Sequence, residues 1–164
     1  MNVDFINPVI NSVKNVLSTM GKLPYIEVGQ PYIPKEGEMS CGVVTGLMSM
    51  VGRRAKASVA LSFSEPAILG IANNFLPGEQ TYIDCMVTDL VGEFTNMVLG
   101  DAKRQFEARG LFFDMSLPII IKGQDHLIAH NARAQVIRVP LESQHGVFCV
   151  EGVYEECKLP NSSS

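Results

Sequence analysis

The longest regular pattern in the sequence is helical and covers residues 82–109. Apolar residues recur there at steps of three and four, which is typical of one broad helix face: Ile83, Met86, Val87, Leu90, Val91, Phe94, Met97 and Val98. Acidic residues come early and basic ones late, as the helix dipole favours: Asp84, Asp89, Lys103, Arg104 and Arg109. Gly110 follows as the closing glycine.

Two glycines, Gly92 and Gly100, lie inside this helical pattern. Each costs about 0.5–1 kcal/mol relative to alanine in a helix. The close approach of another backbone would compensate for that cost, so we expect one at these positions.

The rest of the chain alternates between helical and strand patterns. Helices are predicted over residues 3–20, with Gly21 as the closing residue, and from Glu65-Pro66 to about Phe75. The strand patterns are a short edge strand at 25–28, a hairpin of 41–51 and 57–64 around Gly52-Arg53-Arg54, a strand at 112–121, and a second hairpin of 134–141 and 147–155. This order predicts an α+β domain with about three helices on one face of a mostly antiparallel sheet. Residues 1–160 form that single domain, and 161–164 are a flexible tail.

Composition narrows the class of protein. The chain has 164 residues, which fits one domain, and a net charge of −4 from 13 Lys+Arg and 17 Asp+Glu, which argues against nucleic-acid binding. Charged residues make up 18%, against about 25% in typical soluble domains. Either the domain is compact and glycine-rich, or another subunit covers part of its surface. No apolar stretch is long enough for a transmembrane helix.

The cysteines are scattered, and no CxxC pair occurs among Cys41, Cys85, Cys149 and Cys157. Together with an N-terminus unlike a signal peptide, this predicts free thiols in a reducing cytoplasm.

The long helix also has a polar stripe. Its members are separated by steps of four, three, four and three residues, so they share one side of the helix: Asp89, Glu93, Asn96, Gly100 and Lys103. A Glu and an Asn one turn apart cannot form a nucleophile–base pair, because an amide does not ionise. The amide can orient a water molecule, and the carboxylate can hold a cation on a partner. The alternative is an ordinary solvated helix face.

Other candidate sites have less support. His126 and His130 are four residues apart but lack the HExxH glutamate, so we expect loop histidines and no metal site. The glycines in GVVTG (42–46) lack the lysine of a P-loop, and no cysteine lies in a motif typical of a nucleophile. Met48 and Met50 are interpreted as core residues.

Four positions match a known signature. They follow the pattern of the CheC/CheX/FliY family of chemotaxis phosphatases. The intervals are three residues between Asp89 and Glu93 and two between Glu93 and Asn96, and Pro118 comes twenty-two positions after Asn96. The segments MNVDFINPVI, SVALSFSE and VGEFTNMVLGDAK also resemble the CheX branch of that family. The resemblance covers almost the whole chain, and the single copy of the motif is like CheX and unlike CheC.

The resemblance implies a function. Such proteins dephosphorylate the CheY-type response regulator, which carries both the aspartyl phosphate and its Mg²⁺. Asn96 would orient the attacking water, and Glu93 would pair with a lysine of the regulator. No metal or cofactor on this chain is implied.

The remaining signature positions, Asp89 and Pro118, are assigned supporting or partner-binding roles. Gly92 and Gly100 would let a partner's loop approach the helix. Strands of two subunits are expected to join in a homodimer, and the protein is expected in the cytoplasm. The alternative function is a non-catalytic module that binds a regulator or another chemotaxis partner.

Overall fold

The computed structural model describes residues 2–158 as three helices and seven strands. The helices are α1 (Asn2–Thr19), α2 (Glu65–Phe75) and α3 (Cys85–Glu107). The strands are β1 (Glu27–Val28), β2 (Val44–Val51), β3 (Ala55–Phe63), β4 (Asp114–Met115), β5 (Ile119–Lys122), β6 (Ile137–Ser143) and β7 (Gly146–Glu156). The predicted tail at 161–164 lies outside the described residues.

All the strands form one antiparallel sheet in the order β1-β6-β7-β3-β2, with β4 and β5 both paired to the outer side of β2. β1 therefore lies at one edge, as the pattern at 25–28 predicts. The two predicted hairpins are confirmed as β2–β3 and β6–β7.

The helices pack on one face of this sheet, which confirms the predicted fold class. α1 runs antiparallel to α3, since Phe5 stacks on Phe106 at 5.0 Å while the Asn15 amide lies 3.4 Å from Asp101. Phe94 of α3 contacts Phe63 of β3 edge to face at 5.7 Å. The core lies between these helices and the sheet.

The ends of α3 explain why it is shorter than the pattern over residues 82–109. Asp84 is extended and caps the helix, with its carboxylate accepting from the Val87 amide at 3.0 Å. At the other end Gly110 has φ +79°, and the amides of Gly110 and Leu111 donate back to the carbonyls of Glu107 and Phe106. This is a Schellman ending, which confirms the closing glycine. At the end of α1, by contrast, Lys22 has the positive φ, not Gly21.

The predicted strand at 112–121 is interrupted. β4 ends at Met115, and β5 begins only at Ile119. Between them the Ser116 amide donates to the Ser49 carbonyl at 2.9 Å, and the Ser49 amide donates to the Ser116 hydroxyl at 3.0 Å. Pro118 has no amide hydrogen to give the ladder, so regular pairing resumes after it.

The second face of the sheet is covered by two irregular parts of the same chain, residues 29–42 and 123–136, which we call the covering segments. Thr45, Ser58 and Ser62 alternate along their strands with residues of the helix face, and they are as buried as those residues. The Thr45 hydroxyl hydrogen-bonds Ser62 and His126, each at 2.7 Å. The chain thus covers both faces of its own sheet.

The prediction of four free thiols is wrong for two of the cysteines. Cys41, at the end of the first covering segment, forms a disulfide with Cys149 of β7. The residues are 108 positions apart in sequence, and the sheet brings their Cα atoms to 6.5 Å. Cys85 and Cys157 are free. Because these two cysteines are bonded, the cysteines no longer indicate a reducing compartment.

No helix of residues 2–158 is both long and apolar enough to cross a membrane.

Candidate functional site

The predicted polar stripe lies on the outer side of α3. Asp89, Glu93, Asn96 and Gly100 are exposed. The inner side of the same helix is buried against the core through Val87, Leu90, Phe94 and Val98. The helix therefore presents the stripe to solvent from a firmly packed base.

Three side chains of the stripe, Asp89, Glu93 and Asn96, have no polar partner within residues 2–158. They make no hydrogen bond or ion pair with those residues. Further along the helix, Lys103 is 3.9 Å from Glu107, and both side chains are well exposed, so that pair adds little to stability. The carboxylates and the amide are therefore available to a ligand from outside.

Pro118 meets α3 beside the stripe. Gly92 is buried there, and a Cβ added to it would lie 3.8 Å from Pro118 and 3.6 Å from Ile120. The structure thus brings the proline of the signature next to the residue that precedes Glu93.

The expected backbone approach is not found at either helix glycine within residues 2–158. Gly92 has ordinary contacts with side chains, and a Cβ at Gly100 would meet nothing within 4 Å. Gly92 is buried under Pro118, so it offers no open surface. Gly100 is exposed and leaves room for an incoming surface.

A contact that the sequence analysis missed holds the middle of α3 on the sheet. Thr95 is fully buried, and its hydroxyl donates to the Val91 carbonyl at 2.7 Å. Gly46 of β2 lies directly opposite, where an added Cβ would be only 2.1 Å from the Thr95 oxygen. A glycine inside a strand pattern is the signal that could have indicated this close approach.

A second polar cluster lies under the covering segments. Glu151 of β7 is buried between Arg138, with which it forms an ion pair, and His130, whose Nε2 is 3.2 Å away. The other ring nitrogen of His130 is 2.8 Å from the Ser58 hydroxyl. Arg138 also reaches Glu38 of the first covering segment at 2.9 Å.

The cluster changes the acidity of Glu151. Burial is the largest influence and opposes ionisation, but the His130 hydrogen bond and the Arg138 charge together outweigh it and lower the pKa of Glu151. A charged Glu151 therefore helps to hold both covering segments on the sheet.

His126 and His130 lie in a loop, as predicted, and they form hydrogen bonds with different partners. His126 bonds the Gly123 carbonyl and Thr45, both at 2.7 Å, whereas His130 joins the Glu151 cluster. Among residues 2–158, no three His, Cys, Asp or Glu side chains come together as a metal site.

Only the Lys103 end of the stripe borders a cleft described here. A cleft of about 820 Å³ lies near the C-terminal end of α3, between Lys103 and the turn at Arg53 and Arg54. Asp89, Glu93 and Asn96 are not part of its wall. These three side chains are instead exposed on the helix surface outside that cleft, a position open to a macromolecular ligand.

Comparison with known proteins gives a consistent result. The family model of the chemotaxis phosphatase CheX matches residues 44–142. No curated protein matches the chain. A CheC-like superfamily protein from Shewanella sp. PV-4 is 43% identical, with a TM-score of 0.85 over 94% of this chain and 99% of that one. The chemotaxis protein CheX from Vibrio vulnificus is 38% identical, with a TM-score of 0.86 over 93% and 99%.

A more distant relative is seen with a partner. CheX in the CheX–CheY–BeF3–Mg²⁺ complex from Borrelia burgdorferi is 22% identical, with a TM-score of 0.77 over 94% of this chain and 99% of that one. At this identity the likeness shows that the fold is shared.

Proposed function

The chain belongs to the CheX chemotaxis phosphatase family, and from that premise we propose that it accelerates hydrolysis of the aspartyl phosphate on a CheY-type response regulator. In the proposed reaction water attacks the phosphorus atom, and the bond from phosphorus to the aspartyl oxygen breaks. The products are inorganic phosphate and the free carboxylate of the regulator. The proposal places the chain in the cytoplasm with its regulator.

One observation supports this function above the others. Glu93 and Asn96 stand one turn apart, exposed and without partners among the described residues, on a helix whose opposite side is buried. Three residues rise about 4.5 Å along a helix, so two groups on a partner could be contacted at once. Phosphoryl transfer is accelerated mainly by positioning, and a fixed helix supplies it.

Each residue has a distinct proposed task. The Asn96 amide accepts one hydrogen bond from the attacking water and can donate another to it. These bonds fix the direction in which the lone pair of the water points. The Glu93 carboxylate pairs with a lysine of the regulator and holds the two proteins in register. Asp89, one turn before Glu93, supports that docking, and Gly100 leaves space for the regulator.

The proposed metal belongs to the substrate protein. Mg²⁺ would neutralise charge on the phosphoryl group from the regulator's side, in keeping with the CheX–CheY–BeF3–Mg²⁺ relative. The stripe offers two carboxylates and an amide from one face of one helix, and the proposal gives them no metal to hold. The chain is then a protein that completes another protein's active site.

The first test measures the decay of a phosphorylated CheY-type regulator in Mg²⁺, with and without this chain, for the parent and for Glu93→Ala. We expect the parent to shorten the lifetime of the phosphate. Because Glu93 acts in docking, Glu93→Ala should raise KM about tenfold or more, with a much smaller change in kcat.

The matched control for this charge removal is Glu79→Ala, since Glu79 is exposed and lies in the loop after α2. A parent that binds the regulator without changing its lifetime would favour the alternative, a non-catalytic binding module. An unchanged KM in Glu93→Ala would contradict the docking role.

We also propose that the chain forms a homodimer through the β5 edge of its sheet. β5 pairs with β2 on one side only, and Ile119 and the preceding Leu117 are 61% and 84% exposed. Exposed apolar edge strands pair readily with other chains, and a free lysine there discourages pairing. The lysine of β5, Lys122, is engaged within the chain, since its Nζ donates to the Ile83 carbonyl at 2.6 Å.

We expect Ile119→Lys to convert the dimer to a monomer in analytical ultracentrifugation, because the new charge would be buried in the dimer interface. Val28→Lys, on the opposite edge strand β1, is the control and should remain dimeric. Loss of the dimer in the Val28 variant alone would assign the contact to the other edge, and a monomeric parent would refute the dimer.

A further inference from the structure

We infer that Gly46 and Thr95 are positioning residues for the proposed reaction, and that their contact fixes the distance of the Glu93–Asn96 turn from the sheet. The inference rests on the proposed function and deepens it. Neither residue faces the regulator, because Thr95 is fully buried and Gly46 lies beneath it in β2.

The contact between the two residues leaves no space for a side chain at position 46. A Cβ at position 46 would lie 2.1 Å from the Thr95 oxygen, 3.2 Å from the Thr95 Cβ and 3.3 Å from Val91 Cγ1. Threonine has two favoured rotamers in a helix, and the bond from the Thr95 hydroxyl to the Val91 carbonyl holds the one seen here. An added methyl group at position 46 would therefore have to displace the helix, the strand or both.

The strand is the more firmly held of the two. At Gly46, β2 is paired on both sides, with Leu61 of β3 and with Ile120 of β5. The helix lies above it as a single layer, and its preceding turn packs on Pro118 and Ile120 through Gly92. A clash at position 46 is therefore relieved mainly by moving α3 outward.

Such a movement acts on the two site residues unequally. An ion pair such as that proposed for Glu93 weakens only gradually with distance. A water molecule must be held in line with the phosphorus atom, and a shift of about 1 Å can cost 100-fold in rate. Displacement of α3 should therefore lower kcat and leave KM nearly unchanged.

The chain offers a matched control on the same face of the sheet. Gly152 of β7 lies under α1, where an added Cβ would be 2.4 Å from Ile6 Cδ1. That atom is the flexible end of a side chain, and α1 carries no residue of the stripe. Gly152→Ala thus introduces the same methyl group into the same core layer, away from the turn of α3 that carries Glu93 and Asn96.

The experiment compares Gly46→Ala, Thr95→Ala, the double variant and Gly152→Ala, each corrected for the folded fraction. Gly46→Ala should lower kcat about 10- to 100-fold with little change in KM, whereas Gly152→Ala keeps the parent kcat. Thr95→Ala removes the clashing oxygen, so the double variant should recover most of the lost kcat.

Hydrogen exchange at the amides of residues 91–98 provides a second measurement that does not depend on activity. We expect faster exchange there in Gly46→Ala and a return toward the parent in the double variant. Equal kcat in the two glycine variants, or a double variant no better than Gly46→Ala, would overturn the positioning role. A parent without phosphatase activity would instead refute the proposed function, and the exchange data would still decide whether Gly46 seats this turn.

Discussion

Asn96→Ala is expected to remove most of the phosphatase activity and to leave the fold intact. The side chain is exposed and has no partner among the described residues, so its loss costs the folded chain little. It also removes the only amide of the stripe. Misplacement of a reacting group can cost about 100-fold in rate, and we expect a fall in kcat of at least about that size.

The measurement is single-turnover loss of phosphate from the regulator at saturating chain concentration, with KM determined in parallel. KM should change little, since docking is assigned to Glu93. Asn11→Ala is the control, because Asn11 is an exposed asparagine on another helix, α1. If Asn96→Ala kept the parent rate, the water-orienting role would be wrong.

Loss of the disulfide is expected to have the largest effect on stability. The bond between Cys41 and Cys149 closes a loop with a sequence separation of 108, and it fastens the first covering segment to β7. Disulfides closing long loops stabilise proteins by about 2–5 kcal/mol. For a domain of this size that corresponds to a fall in Tm of roughly 5–15 °C.

Thermal unfolding of the oxidised parent, of the parent with a reductant and of Cys41→Ser tests this prediction. Cys41 is the exposed partner, so its replacement leaves the core packing around Cys149 in place. Cys85→Ser and Cys157→Ser are matched controls that should leave the Tm unchanged. The prediction is refuted by a Tm that responds neither to the reductant nor to Cys41→Ser.

The elements with strong local signals are those that the sequence predicts well. α2 begins after Ser64, contains Pro66 in its first turn and ends at Phe75, as the local residues indicate. The β2–β3 hairpin and α3 follow in the same way from periodicity and turn residues. Glu93 and Asn96 share a face because helical spacing is a local property, so the sequence alone is enough to predict their common exposure on α3.

The features that depend on the three-dimensional arrangement could not be predicted. The pairing of Cys41 with Cys149 requires the order of strands in the sheet. The contact of Gly46 with Thr95 requires the position of α3 above β2. The break between β4 and β5 follows partly from Pro118, which is a local signal, but the bond from β2 to the Ser116 hydroxyl requires the pairing of the two segments.

The low charge of 18% now has a more specific explanation. The chain covers both faces of its sheet, with helices on one and the covering segments on the other, so the faces themselves need no second subunit. Leu117 and Ile119 at the β5 edge are among the apolar residues that stay exposed, and the proposed dimer would cover them.

The exposed position of Glu93 and Asn96 has a practical consequence for inhibition. A drug-sized molecule gains its affinity by filling a concave pocket, and neither residue lines the cleft at the C-terminal end of α3. An effective antagonist would instead have to span a protein-sized surface, as a mimic of the regulator or a designed binder would. Screens for such antagonists should therefore use macrocycles and small proteins rather than fragment libraries.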